Sequence, residues 1–167
     1  MEVNKMAKKE VKTNVMRILD QKKIPYSMHA YDPEDGQIDA ESVALKCGRH
    51  PEQVFKTLVT EANNHAHYVF VVPANAQLDL KACARAAGVR SVEMIPQKQL
   101  LPLTGYIHGG CSPIGMKKPF MTFMDETAVL FDTIFVSGGR VGTQIEINPE
   151  QLRTLIGAEY APIAREK

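Results

Sequence analysis

The spacing of apolar positions changes several times along the chain, and each change marks an element. Val15, Ile18 and Leu19 recur at helical spacing within residues 11–22, which predicts an amphipathic helix. Ile24-Pro25 ends it, because proline cannot continue a helix and biases its predecessor to extended geometry. Residues 26–31 then alternate as a strand does, and Asp32-Pro33-Glu34-Asp35-Gly36 reads as a loop. Asp39 is the expected N-cap of a helix through Val43, Ala44 and Leu45, closed by Gly48. The β-branched and apolar run Val54-Phe55-Lys56-Thr57-Leu58-Val59 predicts a strand interrupted by one cation. A second strand is expected over residues 68–72. The short turn Asn63-Asn64-His65 between the two predicts an antiparallel hairpin.

Further along, Asp79 opens a helix from Leu80 to Ala87, with Gly88 as its stop. Residues 92–95 are expected to be extended and residues 97–101 to form a helical turn. Tyr106-Ile107-His108 is read as a strand entering the loop Gly109-Gly110-Cys111-Ser112-Pro113-Ile114-Gly115. Residues 120–124 and 133–136 read as strands, the second followed by Ser137-Gly138-Gly139. Residues 143–147 alternate, which predicts one solvated face. Asn148, Pro149 and Gln151 mark the start of a last helix and Gly157 its end. Hairpins and isolated helices, without regular βαβ alternation, predict an α+β fold with a mixed or antiparallel sheet.

A length of 167 residues fits one domain, expected over residues 11–167 behind a loose polar tail at residues 1–10. The hydrophobic fraction of 44% and charged fraction of 23% are those of a soluble globular protein. A formal net charge of +1 argues against a general nucleic-acid field, though not against contact through a local patch or a partner. No run approaches the roughly 18 apolar residues of a membrane span. The first ten residues lack the apolar core of a secretory signal. Cys47, Cys83 and Cys111 are odd in number and scattered, so no disulfide framework is expected and the cytoplasm is the expected compartment.

Two stretches carry chemistry. Lys56, if buried, must find partners, because an unpaired ammonium in an apolar setting is costly. The loop at 109–115 holds three glycines, a serine and a proline. Glycine lets backbone N–H groups approach a ligand and proline fixes the turn, which suits recognition of a carbonyl or carboxyl group. With Ser137-Gly138-Gly139 these runs predict a pocket. His65-Ala66-His67, and Cys47 with His50, lack closed zinc-ligand spacing, so no metal is expected. Cys111 as a nucleophile would need a lowered pKa and a base partner, and the reading as a small buried residue is preferred. Neither a phosphate loop nor a dinucleotide fingerprint is present, so no cofactor is expected. Lys117-Lys118 reads as a solvated turn, with phosphate contact as the alternative.

At Phe55-Lys56-Thr57-Leu58, in the loop at 109–115 and at Val136-Ser137-Gly138-Gly139, the chain resembles the YbaK family of aminoacyl-tRNA deacylases, over roughly residues 11–165. The likeness is greatest to its Cys-tRNA(Pro) deacylase branch. It implies a curved, barrel-like mixed sheet flanked by helices, and an enzyme that clears tRNA(Pro) mischarged with cysteine, and also Cys-tRNA(Cys) in one reading. A pocket built for proline cannot fully reject an amino acid of similar size, which is why a second site edits. The resemblance makes Lys56 the essential lysine. It assigns substrate contacts to Tyr31, Thr57, Gly109, Gly110, Ser112, Pro113 and Gly115, and to Ser137, Gly138 and Gly139. It implies the acceptor end of tRNA(Pro) and prolyl-tRNA synthetase as partners, no cofactor, and attack by the substrate's own thiol to give a cyclic thiolactone. Ile38 stands where a pocket phenylalanine occurs in that branch, Gln144 where an aspartate occurs, and Cys111 at a position expected to be non-thiol. The alternatives are a deacylase for another small amino acid, such as alanine, and a non-catalytic tRNA- or synthetase-binding module.

Overall fold

In the computed structural model, residues 12–167 are described, and the polar stretch expected to form a tail lies outside them. Helix α1 (Asn14–Gln21) starts at Thr13, whose side chain accepts from the Met16 N–H, and buries Val15, Met16 and Leu19. After strand β1 (Tyr26–Ala30), helix α2 (Ala40–Lys46) begins at the predicted Asp39 cap. The expected hairpin is β2 (Phe55–Ala62) and β3 (His67–Pro73), paired antiparallel. Strand β4 (Ala76–Leu78), helix α3 (Leu80–Ala87), strand β5 (Val92–Met94) and helix α4 (Leu100–Thr104) follow. The second half holds β6 (Met121–Asp125), β7 (Ile134–Arg140), β8 (Thr143–Ile147) and helix α5 (Pro149–Ile156). Two short strands, β9 (Glu159–Ala161) and β10 (Ala164–Glu166), complete it.

A five-stranded sheet runs in the order β5-β2-β3-β6-β9. Its pairings are antiparallel around β2 and parallel around β6, so the sheet is mixed. A three-stranded antiparallel sheet, β1-β8-β7, stands beside it, and β10 pairs with β4. This is the α+β class that the pattern predicted. The two larger sheets touch at a parallel bridge between Val54 and Phe135 and enclose a shared core, without closing into a continuous barrel among the described residues. Phe55, Val71, Ile134, Val136 and Ile145 from both sheets meet Val15 and Leu19 of α1 in that core. On the opposite face of the large sheet, Phe70, Val72 and Phe123 pack with Cys83 of α3. Strand β3 is buried on both faces, which accounts for its continuous apolar run.

The structure corrects three local expectations. Tyr106-Ile107-His108 is a turn-rich connection and not a strand. It has no strand partner among the described residues, Ile107 and His108 are exposed, and the Gly110 N–H closes a turn onto the Ile107 carbonyl. Ser137-Gly138-Gly139 lies within β7 and not after it. The polar face of β8 is not solvated, since Gln144 is buried and Glu146 is held by His29 and Thr133. A strand paired on both sides can hide a polar face, and alternation alone cannot distinguish cover by protein from cover by water. The C-terminal strands β9 and β10 are too short for periodicity to reveal. Among the described residues, no helix is long and apolar enough to cross a membrane.

Candidate active site

The Val54–Phe135 bridge sets the site, because it brings the start of β2 against β7. Two residues further along each strand, Lys56 and Ser137 face one cavity of about 230 Å³. Ser137 pairs in register with Gln144 of β8, which also lines it. Tyr31 arrives from the end of β1, its N–H donating to the Gly142 carbonyl at 3.0 Å. The segment from Tyr31 to Asp39 is then fixed by Lys46, whose ammonium donates to the carbonyls of Asp32 (2.6 Å) and Gln37 (3.0 Å) and to the Asp35 carboxylate (2.7 Å). This loop carries Ile38 onto Gly109. The backbone at Gly109 has φ +87°, which favours glycine, and a Cβ there would lie 2.6 Å from Ile38 Cδ1, so that Ile38 would have to shift.

Five of the residues singled out from the sequence meet on the cavity wall: Tyr31, Lys56, Thr57, Gly109 and Ser137. The others lie off it and support it. A Cβ on Gly110 would press on the backbone of Arg140 and Val141, and one on Gly138 would meet Thr143. Ser112 is fully buried and its Oγ accepts from the Ile114 N–H, turning the loop, with Pro113 buried next to it. Gly115 (φ +74°) and Gly139 (φ +99°) let α1 approach, through Ile18 and Val15 respectively. Most glycines of these motifs therefore serve close packing. Ile38, Cys111 and Gln144, the three departures from the family pattern, do line the cavity. So do Asp39, Glu41, Leu100, His108 and Lys167, which the sequence had not marked as site residues. Asp39 could be read only as a cap, and it is one, accepting from the Ser42 N–H and Oγ.

Lys56 is half-buried and its Nζ donates to the Ala74 carbonyl at 3.2 Å. Burial lowers its pKa from the ordinary 10.5 and the Lys167 ammonium lowers it further, while Glu41 and Asp39 act in the opposite sense. Among the described residues, three other wall atoms are buried without a hydrogen-bond partner: Tyr31 Oη, Thr57 Oγ1 and Gln144 Oε1. Buried polar atoms are nearly always paired, so three orphans around one cavity are hydrogen-bonding capacity that a guest or a water could use. Cys111 is a poor nucleophile here, because burial pushes its thiol up to about 12. The arrangement can bind and polarise a carbonyl, and the thiol in its wall is not activated.

A cation held in a site that disfavours its charge costs stability, which gives a test. With the folded-state pKa of Lys56 below its unfolded value, the unfolded chain binds more protons between the two, so stability rises with pH across that window. Lys56→Met is expected to melt above the wild type at neutral pH. The gap should narrow as pH rises through the lowered pKa toward 10.5, measured by thermal unfolding at stepped pH. A variant that melts below the wild type at neutral pH would show that Lys56 stabilises the fold.

The family model of the aminoacyl-tRNA editing domain matches residues 35–155, and the chain belongs to this family. It is 46% identical over 160 residues to EbsC of Enterococcus faecalis, a candidate Cys-tRNA(Pro)/Cys-tRNA(Cys) deacylase, covering 95% of this chain and 98% of that one. It is 24% identical over 119 residues to YwhH of Bacillus subtilis, an uncharacterized protein, covering 71% of this chain and 75% of that one. The fold matches the crystal structure of a candidate trans-editing enzyme for prolyl tRNA synthetase with a TM-score of 0.79, at 22% identity over 93% of this chain and 99% of that one.

Proposed function

We propose that this protein is a trans-editing deacylase that removes cysteine from tRNA(Pro), with Cys-tRNA(Cys) as a second substrate, and that it acts beside prolyl-tRNA synthetase. The observation that carries the reading is the cavity itself, which pairs a half-buried cation with three polar atoms unpartnered among the described residues, beside a thiol that burial leaves unactivated. Its volume of about 230 Å³ suits one aminoacyl unit and falls short of the roughly 300–1,000 Å³ of larger ligand sites.

In this reading the attacker belongs to the substrate. The cysteinyl sulfur, having passed its proton to solvent water, adds to the ester carbonyl carbon, and the negative charge moves to the carbonyl oxygen. Lys56 stabilises that oxyanion. The bond from the carbonyl carbon to the ribose oxygen then breaks, and the ribose oxygen takes up a proton as a free hydroxyl. The cyclic thiolactone leaves and is opened by water. Tethering sulfur and carbonyl in one molecule supplies much of the acceleration, because the cavity has only to hold a reactive conformer. Tyr31, Thr57 and Ser137 offer hydroxyls to the ester.

The test compares deacylation of Cys-tRNA(Pro), Ser-tRNA(Pro) and Ala-tRNA(Pro), with and without prolyl-tRNA synthetase. Rapid loss of the cysteinyl ester alone is expected, since a hydroxyl at the same position is a far weaker nucleophile than a thiol. Preference for the alanyl ester would make water the attacker. Cleavage of none, with tight RNA or synthetase binding, would make the protein a binding module.

A further inference from the structure

We propose that Glu41 receives the α-ammonium group of the aminoacyl ester, and that Lys167 occupies this carboxylate as a placeholder that the substrate displaces. The inference rests on the deacylase reading and adds to it the group that identifies the substrate as an unblocked amino acid.

An aminoacyl ester carries two features that a site can read apart from its side chain, a carbonyl and an amine that is largely protonated near neutral pH. The amine needs an acceptor, and Lys56 has the wrong sign. The cavity wall holds two carboxylates, Asp39 and Glu41. Asp39 is already committed, with Oδ2 accepting from the Ser42 N–H and Oδ1 from the Ser42 hydroxyl. Glu41 is bound by the Lys167 ammonium in a pair whose side chains are 43% and 51% exposed. A solvent-exposed pair of this kind is weak and exchangeable. A substrate ammonium held by its ester in the cavity would have the advantage of tethering over a flexible lysine.

Lys167 reaches this place by a built route. The buried Asp125 carboxylate accepts from the N–H groups of Ile163 (3.2 Å) and Ala164 (3.1 Å). Strand β10 then runs antiparallel to β4, with Glu166 opposite Ala76. The next residue therefore arrives beside Asn75 and Ala74, and Ala74 supplies the carbonyl that binds Lys56. One ammonium, on Lys56, is left to meet the ester carbonyl, and a second, on Lys167, rests on the carboxylate where a third would fit. The cavity also holds Tyr31 and Gln144, 8% and 6% exposed, whose oxygens have no partner among the described residues, a second observation that points to a polar guest.

The experiment measures KM and kcat for Cys-tRNA(Pro) and for N-acetyl-Cys-tRNA(Pro), in which the charge is removed and the thiol kept. The wild type is expected to favour the free amine, and Glu41→Gln to reduce that preference about tenfold, chiefly through KM. Glu41→Asp should restore most of it, and Lys167→Ala should lower KM for the free amine by removing the competitor. Thermal unfolding of each variant verifies that the fold is kept. An equal effect of Glu41→Gln on both substrates would overturn the assignment. A raised KM in Lys167→Ala would overturn the placeholder role and make Lys167 a contact to the RNA backbone. A wild type that cleaves neither ester would instead bring down the deacylase reading on which the inference stands.

Discussion

Lys56→Ala is expected to lower turnover of Cys-tRNA(Pro) by about 10²–10³-fold, the scale of losing one donor aimed at a developing oxyanion. The loss should fall on kcat more than KM, since the ammonium matters most when charge builds on the carbonyl oxygen. Residual activity above the uncatalysed rate is expected, because the tethered thiol and the cavity walls remain. The fold should persist. Among the described residues Lys56 makes one hydrogen bond, to Ala74, and its burial opposes its charge, so its removal takes little from the native state. Single-turnover deacylation with purified variant, alongside a melting curve, checks both halves. Activity within a few-fold of wild type in a folded variant would sink Lys56 as the oxyanion partner and move the search to Tyr31 and Ser137.

Phe135→Ala is expected to cost about 3–5 kcal/mol of stability, which for a chain of this length lowers the melting temperature by about 6–20 °C. Phe135 is completely buried and clusters with Ala44 of α2, Val54 and Ala74. Its ring lies 4.7 Å from that of His29 and 5.2 Å from the Arg49 guanidinium. The same residue bridges the two sheets, so the cavity left behind sits under β2, where Lys56 starts. Activity should fall with stability, even below the melting transition, because Ala74 and Val54 both position the lysine. A melting point within about 2 °C of wild type would mean that neighbouring side chains collapse into the space at little cost.

How far the sequence could be read varied with the range of the interaction involved. Helix ends rest on contacts within a few residues, and the caps at Asp39, Asp79 and Asn148 with the stops at Gly88 and Gly157 all stand where local rules put them. The β2–β3 hairpin is equally local. The strand expected at residues 106–108 failed because three apolar and polar residues in alternation look alike whether or not a partner strand exists. The solvated face expected of β8 failed because β1 and β7 flank it from distant parts of the chain.

The candidate site divides in the same way. By itself the sequence determined that Lys56 sits in an apolar strand, that a glycine-dense loop exists, and which family these motifs resemble, since each is a property of a short run of residues. The tertiary structure decided that Tyr31, Lys56, Thr57, Gly109 and Ser137 share one cavity, and that Gly110, Gly115, Gly138 and Gly139 support packing behind it. It alone brought Glu41 and Lys167 to the cavity wall, through a sheet bridge, a loop tied by Lys46 and a strand pinned by Asp125. Those placements depend on strand register and side-chain packing between segments far apart in the chain, and no local pattern of residues encodes them.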